Sequence, residues 1–217
     1  MIRALLLWFV LASPALATTD AYPALYDVVG VASDDMLNIR SGPGTQHPVI
    51  GTLAPDAEGL EVIEPSEDLG WVKINVGEGT GWVSLAFVVP QPGQWDGNFP
   101  EIRRCFGTEP FWSLNYTPPA ISLSSIDAPS MDGLISSTYA SSGHRGRFAY
   151  TGSFFPTEDG DRDIHLSVRR EICNDGMSDR EYGIAVDMLI TRPTAGGNND
   201  GIGLYSGCCS LIPQPSE

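Results

Sequence analysis

The stretch CFGTEPFWSL, which begins at Cys105, holds residue types that could form a nucleophilic catalytic site. Cys105 could supply a thiolate, His165 could act as its base, and Glu109 could supply the accompanying acid. A reactive cysteine usually lies at a helix N-terminus, where the helix dipole lowers its pKa. Gly107 and Pro110 follow closely and oppose helix formation. The sequence therefore favours a structural role for Cys105 and predicts no enzyme.

The acidic stretch EDGDRD matches the start of a calcium-binding loop only in part. Asp159, Asp161 and Asp163 alternate as in an EF-hand loop. That loop requires glycine at its sixth position and glutamate at its twelfth, where this chain has Ile164 and Arg170. The sequence therefore predicts a solvated hairpin turn here, with no metal site and no cofactor.

The stretch DGMSD places Ser178 between two carboxylates, Asp175 and Asp179. A hydrolytic triad would also need a histidine, and none lies nearby in the sequence. Aspartate side chains often accept hydrogen bonds from backbone amides in turns. We therefore expect these carboxylates to hold a turn.

The N-terminal residues MIRALLLWFVLASPALA have the features of a secretory signal peptide: Arg3, a short apolar run and the small-residue site Ala15-Leu16-Ala17. We expect cleavage near Ala17 and a periplasmic or secreted protein. No later stretch reaches the roughly 20 apolar residues of a membrane-spanning helix, so no membrane span is expected. The net charge of −15 opposes nucleic acid as a partner.

The chain contains 4 cysteines, and all of them lie in its second half: Cys105, Cys173, Cys208 and Cys209. An even number in an exported chain favours disulfides, because export places the thiols in an oxidising compartment. The paired C-x-x-C spacing of a zinc site is absent.

Short runs rich in valine, isoleucine and leucine extend from Leu25 to Val89, separated by glycine, proline or acidic turns. Each run has the length of a strand, which predicts a compact barrel. The stretch PQPGQWDGNFP then predicts a linker. Further strand-like runs follow it. We therefore predict an all-β chain of two modules, the second a larger antiparallel barrel-like or sandwich domain with at most one short helix.

The predicted divisions of the chain follow from these patterns. They are a signal peptide at residues 1–17, a first β domain at 18–90, a linker at 91–100 and a second β domain at 101–217. Both domains are acidic, so charge alone does not distinguish their partners.

The motifs LNIRSGPGT, GWVKI and GTGWV follow one another between Leu37 and Val83 and resemble a bacterial SH3-like domain. The resemblance implies a small envelope-targeted binding module, directed in many relatives at peptidoglycan or its stem peptides. Arg40, Trp71 and Trp82 are the implied candidates for ligand contact. The alternatives are core packing for the two tryptophans and an internal ion pair for Arg40.

The motifs GTEPFWSL, CNDGMSDREYGIAVDMLI and SGCCSL resemble an uncharacterised bacterial envelope family related to the META domain of heat-shock lipoproteins. The resemblance implies an exported, β-rich domain without established catalysis. It also implies a disulfide between Cys173 and Cys208, which leaves Cys105 to pair with Cys209. Adjacent cysteines in a strand point to opposite faces, in agreement with two separate partners.

Glu109 and Trp112 are further candidates for ligand contact, on the second domain. If this stretch is a strand, Phe111 and Trp112 point to opposite faces, so that one lies in the core and the other can flank a site. Glu109 is either paired with Arg103 or Arg104, which we favour, or the polar group of a binding surface.

The sequence supports one leading function and two alternatives. The leading hypothesis is an exported, non-catalytic envelope protein. Its first domain would bind peptidoglycan or a cell-wall peptide, and its second domain would bind another partner or act as a scaffold. The alternatives are a cell-wall hydrolase that uses Cys105 and His165, and a proteinaceous inhibitor of a glycan hydrolase.

Overall fold

The computed structural model describes residues 20–126, 129–156, 160–192 and 203–212. Within these residues the chain is all-β, as predicted, and its only helical element is one turn of 3-10 helix at Leu85–Phe87. The strands form a seven-stranded sheet followed by a closed barrel. The predicted signal peptide lies outside the described residues.

The first sheet is antiparallel and curves around a small apolar core. Its strands are β1 (Ala24–Val28), β2 (Leu37–Arg40), β3 (Val49–Leu53), β4 (Leu60–Pro65), β5 (Trp71–Val76), β6 (Gly79–Ser84) and β7 (Val88–Pro90). They lie in the order β3-β2-β6-β5-β4-β1-β7. Alternate residues face the core, as β5 shows with Val72 and Ile74 buried and Trp71 and Lys73 on the outer face.

The second domain is a closed antiparallel barrel. Its strands are β8 (Arg104–Thr108), β9 (Phe111–Thr117), β10 (Ala120–Ser125), β11 (Met131–Ala140), β12 (Arg147–Phe154), β13 (Asp163–Asn174), β14 (Glu181–Thr191) and β15 (Gly203–Ser210). Strand β15 pairs with β8 and closes the barrel. Ile164, Leu166 and Val168 point inward and His165 outward, so β13 is half-buried with strict alternation along this part.

Two strands of the barrel show little strand pattern in the sequence. Strand β8 is only 5 residues long and includes Cys105 and Gly107. Strand β11 carries few apolar residues, and a bulge between Ile135 and Ser137 interrupts its alternation. Residues 175–180, between β13 and β14, form a non-helical loop.

The structure contains both disulfides, in the connectivity that the second resemblance implies. Cys105 and Cys209 are direct cross-strand partners of β8 and β15, and their side chains lie in the barrel core. Cys173 and Cys208 join β13 to β15 and pack in a separate apolar cluster with Phe106 and Tyr182. The two adjacent cysteines therefore serve opposite faces of one strand.

The segment after β7, predicted as a linker, contacts both domains. The Gln94 side chain accepts a hydrogen bond from the Leu25 backbone N–H (2.7 Å) and donates one to the Leu25 carbonyl (3.2 Å). The Phe99 ring packs against the Phe148 ring of the barrel, with centroids 4.9 Å apart. The barrel residue Arg170 donates hydrogen bonds to the carbonyls of Pro23 and Asn98.

The outer face of β4 forms part of the contact between the domains. Val62 faces the core of the first domain, yet Glu61 and Ile63 on the opposite face are also buried. Glu61 accepts hydrogen bonds from the Ser210 hydroxyl and, at 3.1 Å, from the Leu211 backbone N–H. A carboxylate buried in this way needs such donors, because it has lost its hydration.

A second part of the interface joins the β5–β6 hairpin to the loop before β14. Asn75 and Glu181 exchange two hydrogen bonds, from the Asn75 amide to the Glu181 carbonyl (2.8 Å) and from the Glu181 N–H to the Asn75 side chain (3.1 Å). Lys73 donates to the carboxylates of Glu181 and Glu64. Arg180 donates to the Gly77 carbonyl at 2.7 Å. The first domain therefore holds this loop of the barrel in place.

Glu61→Gln is expected to stabilise the protein at neutral pH. Burial raises the pKa of the Glu61 carboxyl, although hydrogen bonds from Ser210 and Leu211 act in the opposite direction. A carboxyl whose pKa is raised by folding destabilises the folded protein while it is charged. This destabilisation is lost as the pH falls through the raised pKa. Thermal unfolding should show a Tm higher by about 2–4 °C at neutral pH, and no difference in acid. Glu58→Gln, at an exposed position, is the control.

A Glu61→Gln variant that is less stable than the parent at neutral pH would contradict this account. It would mean that the hydrogen bonds from Ser210 and Leu211 to the charged carboxylate outweigh the cost of its burial.

Candidate ligand-binding groove

A groove on the first domain collects two of the predicted ligand-contact residues. It lies between the loop before β2, the start of β5 and the 3-10 turn, and has a volume of about 470 Å³. We call it the Trp71 groove. Its lining includes Met36, Arg40, Trp71, Phe87 and the acidic residue Asp35. Met36 and Phe87 are 44% and 39% exposed, so large apolar surfaces remain open to solvent.

Trp71 is positioned by the turn that precedes β5. Its backbone N–H donates to the Ser66 hydroxyl (3.0 Å), and its carbonyl accepts from the Ser66 N–H (2.8 Å). The Ser66 hydroxyl in turn donates to Asp68 (2.6 Å). Hydrogen bonds from Ser66 and the Gly70 N–H lower the pKa of the Asp68 carboxyl. Because these contacts fix the backbone, the half-buried indole is presented on the outer face of the sheet.

Among the described residues, Arg40 has no carboxylate partner for the internal ion pair considered as its alternative role. Its Nη1 donates to the carbonyls of Thr45 (3.1 Å) and His47 (2.8 Å), so one edge of the guanidinium holds the loop after β2. In the part of the chain that the structure describes, the remaining guanidinium nitrogens have no hydrogen-bond partner. They are available to an acceptor in the groove.

Trp82 lies outside the Trp71 groove. It pairs with Arg40 across β2 and β6 and with Lys73 across β5 and β6. The Lys73 ammonium is 5.2 Å from the centre of the Trp82 ring and also pairs with Glu181 of the barrel. Trp82 is thus half-buried beside the domain interface. Neither tryptophan belongs to the buried core, which Val72, Ile74 and Val83 help to form.

Glu109 and Trp112 lie on the barrel and in different environments. Trp112 is 5% exposed and fills the barrel interior, whereas Phe111 is 44% exposed, which confirms that the two aromatic residues face opposite sides. Glu109 is exposed in the turn between β8 and β9. The favoured pairing with Arg103 or Arg104 is wrong among the described contacts. Arg103 pairs with Glu101, and Arg104 donates to the Ser113 hydroxyl.

The structure does not bring together the residues of the hydrolase alternative. Cys105 is buried in its disulfide with Cys209, so it offers no free thiol. His165 is exposed on the outer face of β13, on the other side of the barrel wall from the Cys105 side chain. Glu109 is in an exposed turn. The three residues therefore do not form a catalytic triad.

The turn expected in DGMSD is present, and among the described contacts Asp175, one of the two expected carboxylates, holds it. Asp175 accepts hydrogen bonds from the backbone N–H groups of Met177 and Ser178 and from the Ser178 hydroxyl. Burial alone would raise the pKa of the Asp175 carboxyl, but these hydrogen bonds and the Arg180 charge hold it below its usual range. The carboxylate is occupied by its own loop.

The EDGDRD stretch joins β12 to β13. Its first two acidic residues lie outside the described residues, and Asp163 begins β13. Within the ranges that the structure describes, histidine, cysteine, aspartate and glutamate side chains form no group of three or more that could hold a metal ion.

Sequence comparison gives an independent assignment for the domain that contains the Trp71 groove. Residues 35–89 match the bacterial SH3 domain family. This segment is a bacterial SH3 domain. The match covers β2 to β6, the 3-10 turn and most of β7, and it includes Met36, Arg40, Trp71 and Phe87 of the groove.

A curated relative of the SH3 domain is described as a putative N-acetylmuramoyl-L-alanine amidase, YrvJ, of Bacillus subtilis (strain 168). It is 44% identical over 57 residues. The match spans 26% of this chain and 10% of the relative. No solved structure matches the chain. Among the described residues, no helix is long and apolar enough to cross a membrane.

Proposed function

We propose that this chain is an exported, non-catalytic envelope protein whose SH3 domain binds a cell-wall peptide in the Trp71 groove. The observation that carries the proposal is that Trp71 and Arg40 line the same open groove. The SH3 domain match and the cell-wall amidase that shares it support the choice of ligand. The two disulfides fit a periplasmic or extracellular location.

The chemistry of the groove suits a short peptide with a carboxylate. Trp71, Phe87 and Met36 offer aromatic and thioether surfaces against which small aliphatic side chains can pack. The free guanidinium edge of Arg40 can bind a carboxylate through parallel hydrogen bonds. Peptidoglycan stem peptides combine small aliphatic residues with carboxylates, and this combination matches the groove.

The proposed absence of catalysis rests on the state of Cys105, the nucleophile that the hydrolase alternative would need. Cys105 is consumed in a buried disulfide, and His165 faces away from it. The barrel would then act as a scaffold or as a second binding domain. Absence of muralytic activity of the purified protein on isolated peptidoglycan would agree with this proposal, and muralytic activity of the parent protein would contradict the non-catalytic role.

Trp71→Ala is expected to weaken binding to isolated peptidoglycan at least about tenfold, because central aromatic contacts dominate such interfaces. The measurement is co-sedimentation of the full chain with purified peptidoglycan over a range of protein and salt concentrations. Arg40→Gln should also weaken binding, with a stronger effect at low salt. Trp95→Ala is the matched control, since Trp95 is 44% exposed and lies outside the groove.

Two results would refute the proposed function. The first is an absence of co-sedimentation by the parent protein at every salt concentration. The second is equal weakening by Trp71→Ala and Trp95→Ala, because binding would then not depend on the groove.

A further inference from the structure

The barrel carries a second cleft, separate from the Trp71 groove. It lies on the outer face of the barrel, between the β8–β9 hairpin and the loop that precedes β14. We call it the Arg104 cleft. Its lining includes Arg104, Phe106, Phe111, Met177 and Tyr182, and its volume is about 470 Å³. That volume lies within the range of small-ligand sites, about 300–1,000 Å³.

The walls of the Arg104 cleft are apolar and open. Phe111 and Met177 are 44% and 68% exposed, and they stand on opposite elements, the hairpin and the loop. The floor is formed by Phe106 and Tyr182, whose rings meet edge to face at 4.8 Å. Exposed apolar side chains above an aromatic floor provide a surface for one apolar side chain of a ligand.

The cleft also contains a cation that lacks an acidic partner. The Arg104 guanidinium lies 4.7 Å from the centre of the Phe106 ring, and its Nε donates to the Ser113 hydroxyl at 3.1 Å. Within the described residues, no carboxylate lies within ion-pair distance of Arg104. Burial lowers the pKa of Arg104, although the nearby Tyr182 hydroxyl acts in the opposite direction. The guanidinium therefore keeps two terminal nitrogens for an anion.

The other charged groups at the cleft have partners. Asp175 is held by the backbone of its own loop and by Ser178. Arg180 is bound by the Gly77 carbonyl and by Glu78 of the SH3 domain. In a chain of net charge −15, this leaves a half-buried positive group among apolar side chains, which is complementary to an anion with an apolar body.

A neighbouring groove extends the Arg104 cleft along the barrel surface. The two share part of their lining, including Phe111 and Met177, and the neighbouring groove has a volume of about 840 Å³. Its other walls combine polar residues, among them Glu109, Asn174 and Ser206, with apolar ones such as Ala185 and Val186. The backbone of a peptide can form hydrogen bonds with the polar groups and its side chains can pack on the apolar ones, whereas an acyl chain would leave the polar groups without partners.

We propose that the Arg104 cleft binds the C-terminal residue of a peptide, with the terminal carboxylate on Arg104 and an apolar side chain between Phe111 and Met177. The preceding peptide residues follow the neighbouring groove past Glu109. Capture of a C-terminal carboxylate is an established mode of peptide recognition, and an arginine can bind the carboxylate through two parallel hydrogen bonds.

The test compares two N-acetylated tripeptides ending in phenylalanine, one with a free carboxylate and one with a C-terminal amide. Binding to the full-length protein is measured by isothermal titration calorimetry. We expect the acid to bind at least about tenfold more tightly than the amide, since a charge-assisted pair is lost with the amide. Equal binding of the two peptides, or no binding of either, would overturn the proposal.

Two variants locate the site. Arg104→Gln should weaken binding of the acid at least about tenfold, whereas Arg103→Gln should leave it unchanged, because Arg103 pairs with Glu101 outside the cleft. If Arg104→Gln does not fold, Phe111→Ser in the exposed hairpin provides the same test. Binding of a long-chain fatty acid to the same protein is measured in the same way. Tighter binding of the fatty acid than of the peptide acid would contradict the peptide assignment.

The outcome for the Arg104 cleft is independent of the proposed cell-wall binding. Trp71→Ala removes only the SH3 groove, so it should leave binding of the tripeptide acid intact. Loss of tripeptide binding in Trp71→Ala would place that ligand in the Trp71 groove and overturn the assignment to the barrel.

Discussion

Removal of the Cys105–Cys209 disulfide is expected to cause a large loss of stability. The bond closes a loop of 104 residues and lies in the barrel core. In the chain-entropy model such a loop contributes about 5 kcal/mol, because the crosslink limits the unfolded chain. Strand β15 also completes the barrel by pairing with β8 at this point. Cys105→Ala/Cys209→Ala should therefore unfold at a much lower urea concentration than the parent protein.

The second disulfide provides the internal control. Cys173–Cys208 closes a loop of 35 residues, for which the same model gives about 4 kcal/mol. The Cys173→Ala/Cys208→Ala variant should lose less stability than Cys105→Ala/Cys209→Ala. Reduction of both disulfides in the parent protein should lower its Tm more than the loss of either disulfide alone. An unchanged melting curve in reductant would contradict a stabilising role for both bonds.

Gly207→Ala is expected to destabilise the barrel by about 3 kcal/mol or more, at or above the usual upper limit for overpacking. A Cβ at this position would lie 2.0 Å from the Phe106 carbonyl oxygen and 2.9 Å from the Trp112 ring. The nearest atom belongs to the backbone of the adjacent strand β8, so a side-chain rotation does not relieve the clash. Urea unfolding of the purified variant measures the loss.

Gly143→Ala is the matched control for this substitution. Gly143 is exposed in the loop between β11 and β12, and a Cβ there would meet no atom within 4 Å. Its unfolding free energy should change by less than about 0.5 kcal/mol. Equal stability of Gly207→Ala and Gly143→Ala would show that β8 and β15 do not approach each other as closely as the structure indicates.

The fold class was predictable because alternation and turn residues recur along most of the chain. The sequence around Ile164 shows inward and outward residues in strict alternation, and the barrel uses it in that way. The sequence pattern does not indicate strand β11, because its only buried residues are Gly133 and Ile135 and a bulge follows directly after them. Closure of the barrel depends on pairing between β8 and β15, a long-range contact that local pattern does not encode.

The burial of Glu61 could not be predicted from its own neighbourhood. An alternating strand predicts that Glu61 faces solvent, opposite Val62, and it does face away from the first core. It is buried because Ser210, 149 residues later in the chain, brings the second domain over this face. Interfaces between domains join surfaces that each domain would otherwise expose.

Only part of the candidate ligand-binding sites could be predicted from the sequence. Arg40 and Trp71 belong to motifs that the sequence displays, and the structure places both at one groove. Phe87, which the sequence analysis did not single out, lies in the 3-10 turn and also lines the groove. Trp112 was a candidate ligand contact, but Gly107 on β8 and Gly207 on β15 leave room for its ring inside the barrel.

The two grooves are connected through the β5–β6 hairpin. Lys73 on β5 contacts both Trp82 and Glu181, and Glu78 at the end of the hairpin binds Arg180. The SH3 domain thereby holds the loop that forms one wall of the Arg104 cleft. We expect the two domains to act as a single unit in binding, with the loop ordered by the hairpin.

The central claim is that the Trp71 groove binds cell-wall peptide. The most direct measurement is a nuclear magnetic resonance titration of the full-length protein with soluble peptidoglycan fragments that carry the stem peptide. The account predicts shifts of the Trp71 indole N–H and of the Met36, Arg40 and Phe87 amides. Signals that do not move, or that move only at residues outside this groove, would contradict it.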